Sequence, residues 1–199
     1  MFKTIAILLM VLLPSMALSK VTYDKETQTM RITGPTDMSQ VVEASNIIKG
    51  EDVSYIEMWG PGGDMIMGLQ LGRLINKVED VTVTIPKNRS CISACGFSAL
   101  GADHIRIDGK LMLHRPYISH VSAFEKLEDS LAYMGRGYLY AAYYLEDLGY
   151  SRNVMESMMM YTSPCKFMVY KEMEITKPEE LKMWYSDDSN CKLMGIIFR

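Results

Sequence analysis

Hydrophobic and polar positions change rhythm several times along the chain. Apolar residues run unbroken from Ile5 to Leu13; after them the period of two that marks a half-buried strand takes over. Val21 to Thr33 reads as two short strands around the polar turn Lys25-Glu26-Thr27-Gln28, with Gly34-Pro35 ending the hairpin. Asp37 or Ser39 can cap a helix that runs to about Ile48 and stops at Gly50. Val53 to Trp59 alternates as a strand, and Gly60-Pro61-Gly62-Gly63 reads as a tight turn. Asp64 then caps a helix from Met65 to Lys77, with Met65, Leu69 and Gly72 along one face. A β-branched strand, Val81 to Ile85, leads through the loop Pro86 to Ser90 into a small-residue helix, Cys91 to Leu100. Ile105 to Ile107 and Leu111 to His114 read as two strands around an Asp108-Gly109 turn. A long helix covers about Ser122 to Leu148. A shorter helix, a turn at Ser163-Pro164, a strand-like Phe167 to Tyr170 and a last helix from Lys177 complete the chain. Strands alternating with helices predict an α/β domain.

The opening apolar run differs in kind from the rest. Lys3 precedes it, Pro14 and Ser15 break it, and small residues follow at Ala17 and Ser19. That is the layout of a secretory signal peptide, cleaved after Ala17 or Ser19. The other reading, a membrane anchor, needs a longer apolar run than this one. Residues 1–19 are therefore expected to be a signal peptide and 20–199 a single domain, since 199 residues suffice for one sizeable core. The mature protein is expected to be secreted or periplasmic, touching a membrane only through the signal peptide before cleavage. With 48% hydrophobic and 23% charged residues the composition is globular, which excludes a disordered chain. A net charge of −3 without a Lys/Arg block gives no support for a nucleic-acid partner.

Export would place the four cysteines in an oxidising compartment. Cys91 and Cys95 flank Ser93; Cys165 and Cys191 lie near the C-terminus. The spacing lacks the CxxC pairs of a zinc site, so no metal is expected. A Cys165–Cys191 bridge is the favoured pairing, because it would tie down the tail. Cys91 and Cys95 read either as a strained bridge across one helical turn or as small buried packing residues.

Three segments carry chemistry. Gly60-Pro61-Gly62-Gly63-Asp64 joins a buried strand to a helix start, where glycines let the backbone approach a ligand and unpaired amides can hold developing negative charge. The plain alternative is a strand–helix connection. Ser93 stands at the next helix start, where its hydroxyl points outward and the following amide can stabilise an oxyanion; otherwise it is an N-cap. His114 ends an apolar strand at the sheet edge, as a general base or as a buried structural histidine.

The order of these segments resembles the Clp protease proteolytic subunit and its secreted relatives, in the wider crotonase superfamily. The resemblance rests on Gly60-Pro61-Gly62-Gly63, Ser93-Ala94 and His114-Arg115-Pro116, and covers the run from about Arg31 to Pro116. It implies a ClpP/crotonase-like fold of repeated ββα units and a serine-type peptidase with no cofactor. It also implies Ser93 as nucleophile, His114 as base and an oxyanion hole from the Gly63 and Ala94 amides. The family's third member, an Asp after the long helix, is missing: Val154 to Ser163 contains none. Ser157, Thr162 or Ser163 could orient His114 through a hydroxyl, and Glu156 or Asp147 through a carboxylate. Without a buried carboxylate the base is expected to be weak, with a pKa near the ordinary ~6.5.

The long helix carries Leu127, Leu131, Met134, Tyr138, Ala141 and Leu145 in the 4-3-4-3-4 spacing of an a/d seam. In the resembled family this region mediates ring–ring contact, which implies a homo-oligomer; a helix packed on its own domain shows the same spacing. Three functions follow: a secreted peptidase acting on peptide or protein substrate, a catalytically inactive binding or assembly module, and an acyl-CoA enzyme. Export argues against the third, because CoA is cytoplasmic, and against an ATPase partner.

Overall fold

The computed structural model describes residues 19–117, 126–163 and 166–176. The expected signal peptide, Cys165, Cys191 and the expected last helix lie outside these residues, apart from Ser19. The described chain is mixed α/β, with seven strands and five helices. In order these are β1 (Lys20–Asp24), β2 (Thr29–Thr36), α1 (Met38–Gly50), β3 (Tyr55–Gly63), α2 (Met65–Ile75), β4 (Thr82–Ile85), β5 (Ser90–Ile92), α3 (Ala94–Ala99), β6 (His104–Leu113), α4 (Leu127–Asp147), α5 (Arg152–Tyr161) and β7 (Met168–Ile175).

The helix starts follow from their caps. The Asp37 side chain accepts from Gln40 N–H, and the Asp64 side chain from Met67 N–H, each satisfying an amide that the first turn leaves unpaired. One sheet holds every strand. β1 and β2 form an antiparallel hairpin; β2–β3, β3–β4, β4–β6 and β5–β6 run parallel; β7 lies antiparallel on the other edge of β6. Period-two burial along β2, β3 and β6 sends Met30, Ile32, Ile56, Met58, Ile105 and Ile107 into the core. Burying such side chains is worth about 1.5–3 kcal/mol each.

Four boundaries differ from the sequence reading. Gly34-Pro35 does not end the hairpin, because β2 continues through a register shift to Thr36. Gly60-Pro61-Gly62-Gly63 is not a turn but the end of β3. A Cβ on Gly60 would lie 2.2 Å from the Gly34 carbonyl oxygen, so a glycine here lets two strands run side by side where turn punctuation was expected. Cys91 belongs to strand β5 and not to the following helix. Asp108-Gly109 is only a bulge within the single strand β6, held because Lys110 N–H bonds to Arg89 O at 3.0 Å.

The topology makes one end of the sheet special. β4 and β5 lie end to end in the slot between β3 and β6: β4 pairs Tyr55–Glu57 and His104–Ile107, while β5 meets Gly60 and Lys110–Met112. The glycine run, Ser93 and His114 all follow the C-terminal ends of parallel strands, where α/β sheets form their clefts.

Candidate active site

Ser93 occupies the corner between β5 and α3. Its backbone has φ 55° and ψ −119°, a region that L side chains rarely adopt. Ser93 N–H donates to Met112 O at 2.8 Å and Ser93 O accepts from Phe97 N–H at 3.0 Å, while its side chain caps nothing. Ser93 thus holds the N-cap position of α3 without making the side-chain bond of a capping serine. Gly62 (φ +87°) lies directly beside it: a Cβ there would sit 2.8 Å from Ser93 Cβ and 3.1 Å from Ala94 N. Only a glycine permits that approach, and it brings Gly62 against the first amide of α3 while Gly63 lies against Thr36.

Buried hydrogen bonds hold α3 in place. Ser98 Oγ donates to Gly68 O on α2, and the Tyr144 hydroxyl of α4 donates to Phe97 O at 2.8 Å. Tyr150 donates to Leu100 O at 3.3 Å. Cys91 and Cys95 are joined in a disulfide with Cα atoms 5.2 Å apart. They are buried as the packing alternative expected, but bonded, so of the two readings the bridge is the one the structure contains. The expected strain of a bridge across one helical turn does not arise, because the corner at Ser93 carries the chain from strand to helix between them. That Cα separation lies in the ordinary disulfide range.

His114 follows β6 directly and is 1% exposed. Its ring packs edge-on to Phe167 (centroids 5.0 Å apart) and tilted to Tyr117 (5.4 Å). The Nδ1 atom lies 2.7 Å from the Arg115 carbonyl oxygen. That acceptor puts the proton on Nδ1 and leaves the Nε2 lone pair free, the tautomer a base needs. Nε2 is buried and has no hydrogen-bond partner, so Ser93 and His114 are not bonded to each other in this state. Burial pushes the imidazole pKa down to about 4, with the Arg115 carbonyl acting in the opposite sense. The expectation of an ordinary value near 6.5 is thus corrected: desolvation penalises the imidazolium.

None of the five side chains considered for the third position is hydrogen-bonded to the His114 ring, whose Nδ1 is held by the Arg115 carbonyl and whose Nε2 has no partner. Thr162 Oγ1 comes nearest in role, accepting from Arg115 N–H at 2.7 Å, and so holds the backbone whose carbonyl holds the ring. Tyr138 of α4 donates to Pro116 O at 3.1 Å, fixing the same segment from another side. Ser163 Oγ accepts from Lys166 N–H, Ser157 is half-buried on α5, and Glu156 is exposed. Asp147 is ion-paired with Arg73 at 3.5 Å on the outer side of α2. A carbonyl carries no residue-specific mark in the sequence, so this arrangement could not be read there.

Among solved structures the chain resembles an alanine mutant of the 1510-N membrane-bound stomatin-specific protease, at 18% identity, 84% of this chain, 75% of that one and TM-score 0.50. A second mutant of that protease, in complex with a substrate peptide, matches at 18% identity, 84% and 71% coverage and TM-score 0.51. A ClpP1 mutant from Listeria monocytogenes matches at 14% identity, 86% and 90% coverage and TM-score 0.50. The fold is that of the ClpP-like proteases. No family model and no curated protein matches the sequence. Within this ClpP-like frame the structure places Ser93, the Gly62-Gly63 backbone and His114 at one end of the sheet. No described helix is long and apolar enough to cross a membrane.

Proposed function

We propose that this protein is an exported serine-type peptidase with Ser93 as nucleophile and His114 as general base. The observation that carries the reading is the Ser93 corner: a serine in a conformation L-residues avoid, with Gly62 pressed against it and against the amide that follows it. Backbone strain concentrates where function demands it, and nothing in the packing of α3 requires a hydroxyl at this corner.

The chemistry follows from the placement. A peptide carbonyl entering the cleft is attacked by Ser93 Oγ as His114 Nε2 takes the hydroxyl proton. The oxyanion forms against Gly63 N–H and Ala94 N–H. Asp64 N–H is occupied by Thr36 O, and amides alternate along a strand, which supports turning Gly63 N–H to the opposite edge, toward Ser93. His114 returns the proton to the leaving amine, and water hydrolyses the acyl-enzyme. The His114 ring must reach Ser93 Oγ when substrate fills the cleft; such contacts commonly tighten only in the substrate complex. The neutral Arg115 carbonyl then takes the orienting role that the resemblance gives to a carboxylate. The exposed Leu131, Leu139, Tyr140 and Tyr143 of α4 suit contact with a second copy of the chain.

A second reading, an inactive binding or assembly module on this fold, is favoured by the missing carboxylate and the unbonded Ser93–His114 pair. A fluorophosphonate probe with mass-spectrometric mapping separates the two. The peptidase reading expects labelling at Ser93 that Ser93→Ala abolishes; an unlabelled mature protein leaves the module.

A further inference from the structure

The disulfide brackets the nucleophile symmetrically, two residues before it and two after. Its closed loop is very short, and short loops restrict the unfolded chain least, so the cross-link contributes little to global stability. Its effect is local. Cys91 is locked in the sheet, opposite Gly60 on β3 and Leu111 on β6, and Cys95 lies in the first turn of α3. Between these anchors Ser93 holds φ 55° with no side-chain cap to secure the helix start. The two backbone hydrogen bonds of Ser93 fix its ends but not the sharpness of the bend. Freed of the cross-link, the chain can relax toward φ below zero, which would move both Oγ and the Ala94 amide.

We propose that the Cys91–Cys95 disulfide is the positioning element that holds Ser93 and the Ala94 amide in reactive geometry, so that the site works only in the oxidised chain. This rests on the peptidase reading for its chemistry, but the clamp itself can be read out separately. The bond is buried, which restricts the access of a reductant to it. Dithiothreitol delivers two electrons and two protons to the Cys91–Cys95 bond, leaving two thiols and itself becoming a cyclic disulfide.

The test compares oxidised protein, dithiothreitol-reduced protein and the Cys91→Ala/Cys95→Ala double variant. Two quantities are measured: the rate of fluorophosphonate labelling at Ser93, split into maximal rate and half-saturating probe concentration, and amide hydrogen exchange of the 90–97 segment. The expected result is a fall of about 10²-fold in maximal rate for both cross-link-free forms, as for a misplaced reactive group. Half-saturation should change little, exchange should rise in 90–97 but not in α2, and reoxidation should restore the reduced sample. Equal labelling with and without the cross-link overturns the clamp and leaves the peptidase reading standing. No labelling in any form, with local exchange still rising on reduction, overturns the peptidase reading and upholds the clamp. Exchange that stays unchanged in 90–97 overturns the clamp whatever the labelling shows.

Discussion

The two corners that meet at the C-terminal end of the sheet are built differently. Around Ser93 the backbone is fixed by a disulfide, by a glycine contact that no side chain could share, and by buried hydroxyls that tie α3 to its neighbours, Ser98 to Gly68 O of α2 and Tyr144 to Phe97 O of α3. Around His114 the fixing is indirect: one carbonyl on Nδ1, a threonine holding that carbonyl's residue, a tyrosine holding the next, and two aromatic rings. Ser93 is thus held by covalent and steric constraint, His114 by neutral hydrogen bonds in a dry pocket. A carboxylate beside His114 would stabilise the imidazolium; the present surroundings oppose it. Precision lies in where the Ser93 backbone sits rather than in how strongly His114 attracts a proton.

The largest effect should come from His114 itself. His114→Ala should lower Ser93 labelling by about 10²–10⁴-fold, the range for a positioned general base. In the intact protein the rate should stay level as pH falls from neutral and drop only as His114 takes a proton near pH 4. Labelling rates measured across pH 3.5–8 check this; a midpoint close to 6.5 would show that the base works from a wet environment.

Gly62→Ala attacks the other corner. The added methyl meets Ser93 Cβ and the Ile92 carbonyl at a φ that alanine disfavours. Labelling should fall by about 10²-fold while thermal unfolding records a loss of about 1–3 kcal/mol. A variant that labels at the wild-type rate would show that the close approach is unnecessary for reactivity.

Acid should weaken the fold through the same histidine. Its pKa is lowered in the folded state, so between the unfolded value of about 6.5 and about 4 only the unfolded chain binds the proton. The contribution is complete above pH 6.5 and is lost as pH falls toward 4, at a cost of about 3 kcal/mol. Denaturant melts of wild type and His114→Gln at pH 7 and pH 4.5 should differ in this pH dependence; parallel losses would exclude His114 as its source.

The smallest effect belongs to the outer support. Thr162→Val keeps the shape but strands Arg115 N–H, which should cost about 1–3 kcal/mol and slow labelling by about tenfold or less. Asp147→Asn, on an exposed ion pair worth about 0–1 kcal/mol, should leave labelling unchanged. If Asp147→Asn matched His114→Ala, a carboxylate would serve the base after all.

Much of the Ser93 corner was legible in the sequence, because it depends on residue types that have few other uses. Glycines clustered before Asp64, and a serine among small residues, announce close approach. Even there, reading Gly60 to Gly63 as a turn and Cys91 as helical missed that the chain runs straight until Ser93 and bends at that one residue. The other side was legible only as His114. Its partner is the carbonyl of the next residue, which no residue type announces, and the burial that lowers its pKa involves Phe167, which meets the ring only in three dimensions. The α4 pattern was ambiguous for a good reason. Ala141 and Leu145 pack on the domain while Leu131 stands 53% exposed, so a single seam serves two environments.

The single strand β6 also shapes how the protein reaches this state. Its first half pairs with β4, its second half with β5, and its whole far edge with β7. The register joining Leu113 to Met168 closes a loop containing α4 and α5. Parallel and long-range pairings of this kind carry a large closure entropy before any contact repays it, which slows folding. Until β7 has joined, β6 presents an open edge, and the rings around His114 are incomplete because Phe167 arrives only with that strand. The strand ends and the disulfide around Ser93 can therefore form from the chain up to Leu113, with the Tyr144 hydroxyl added when α4 docks, whereas the pocket around His114 is assembled last.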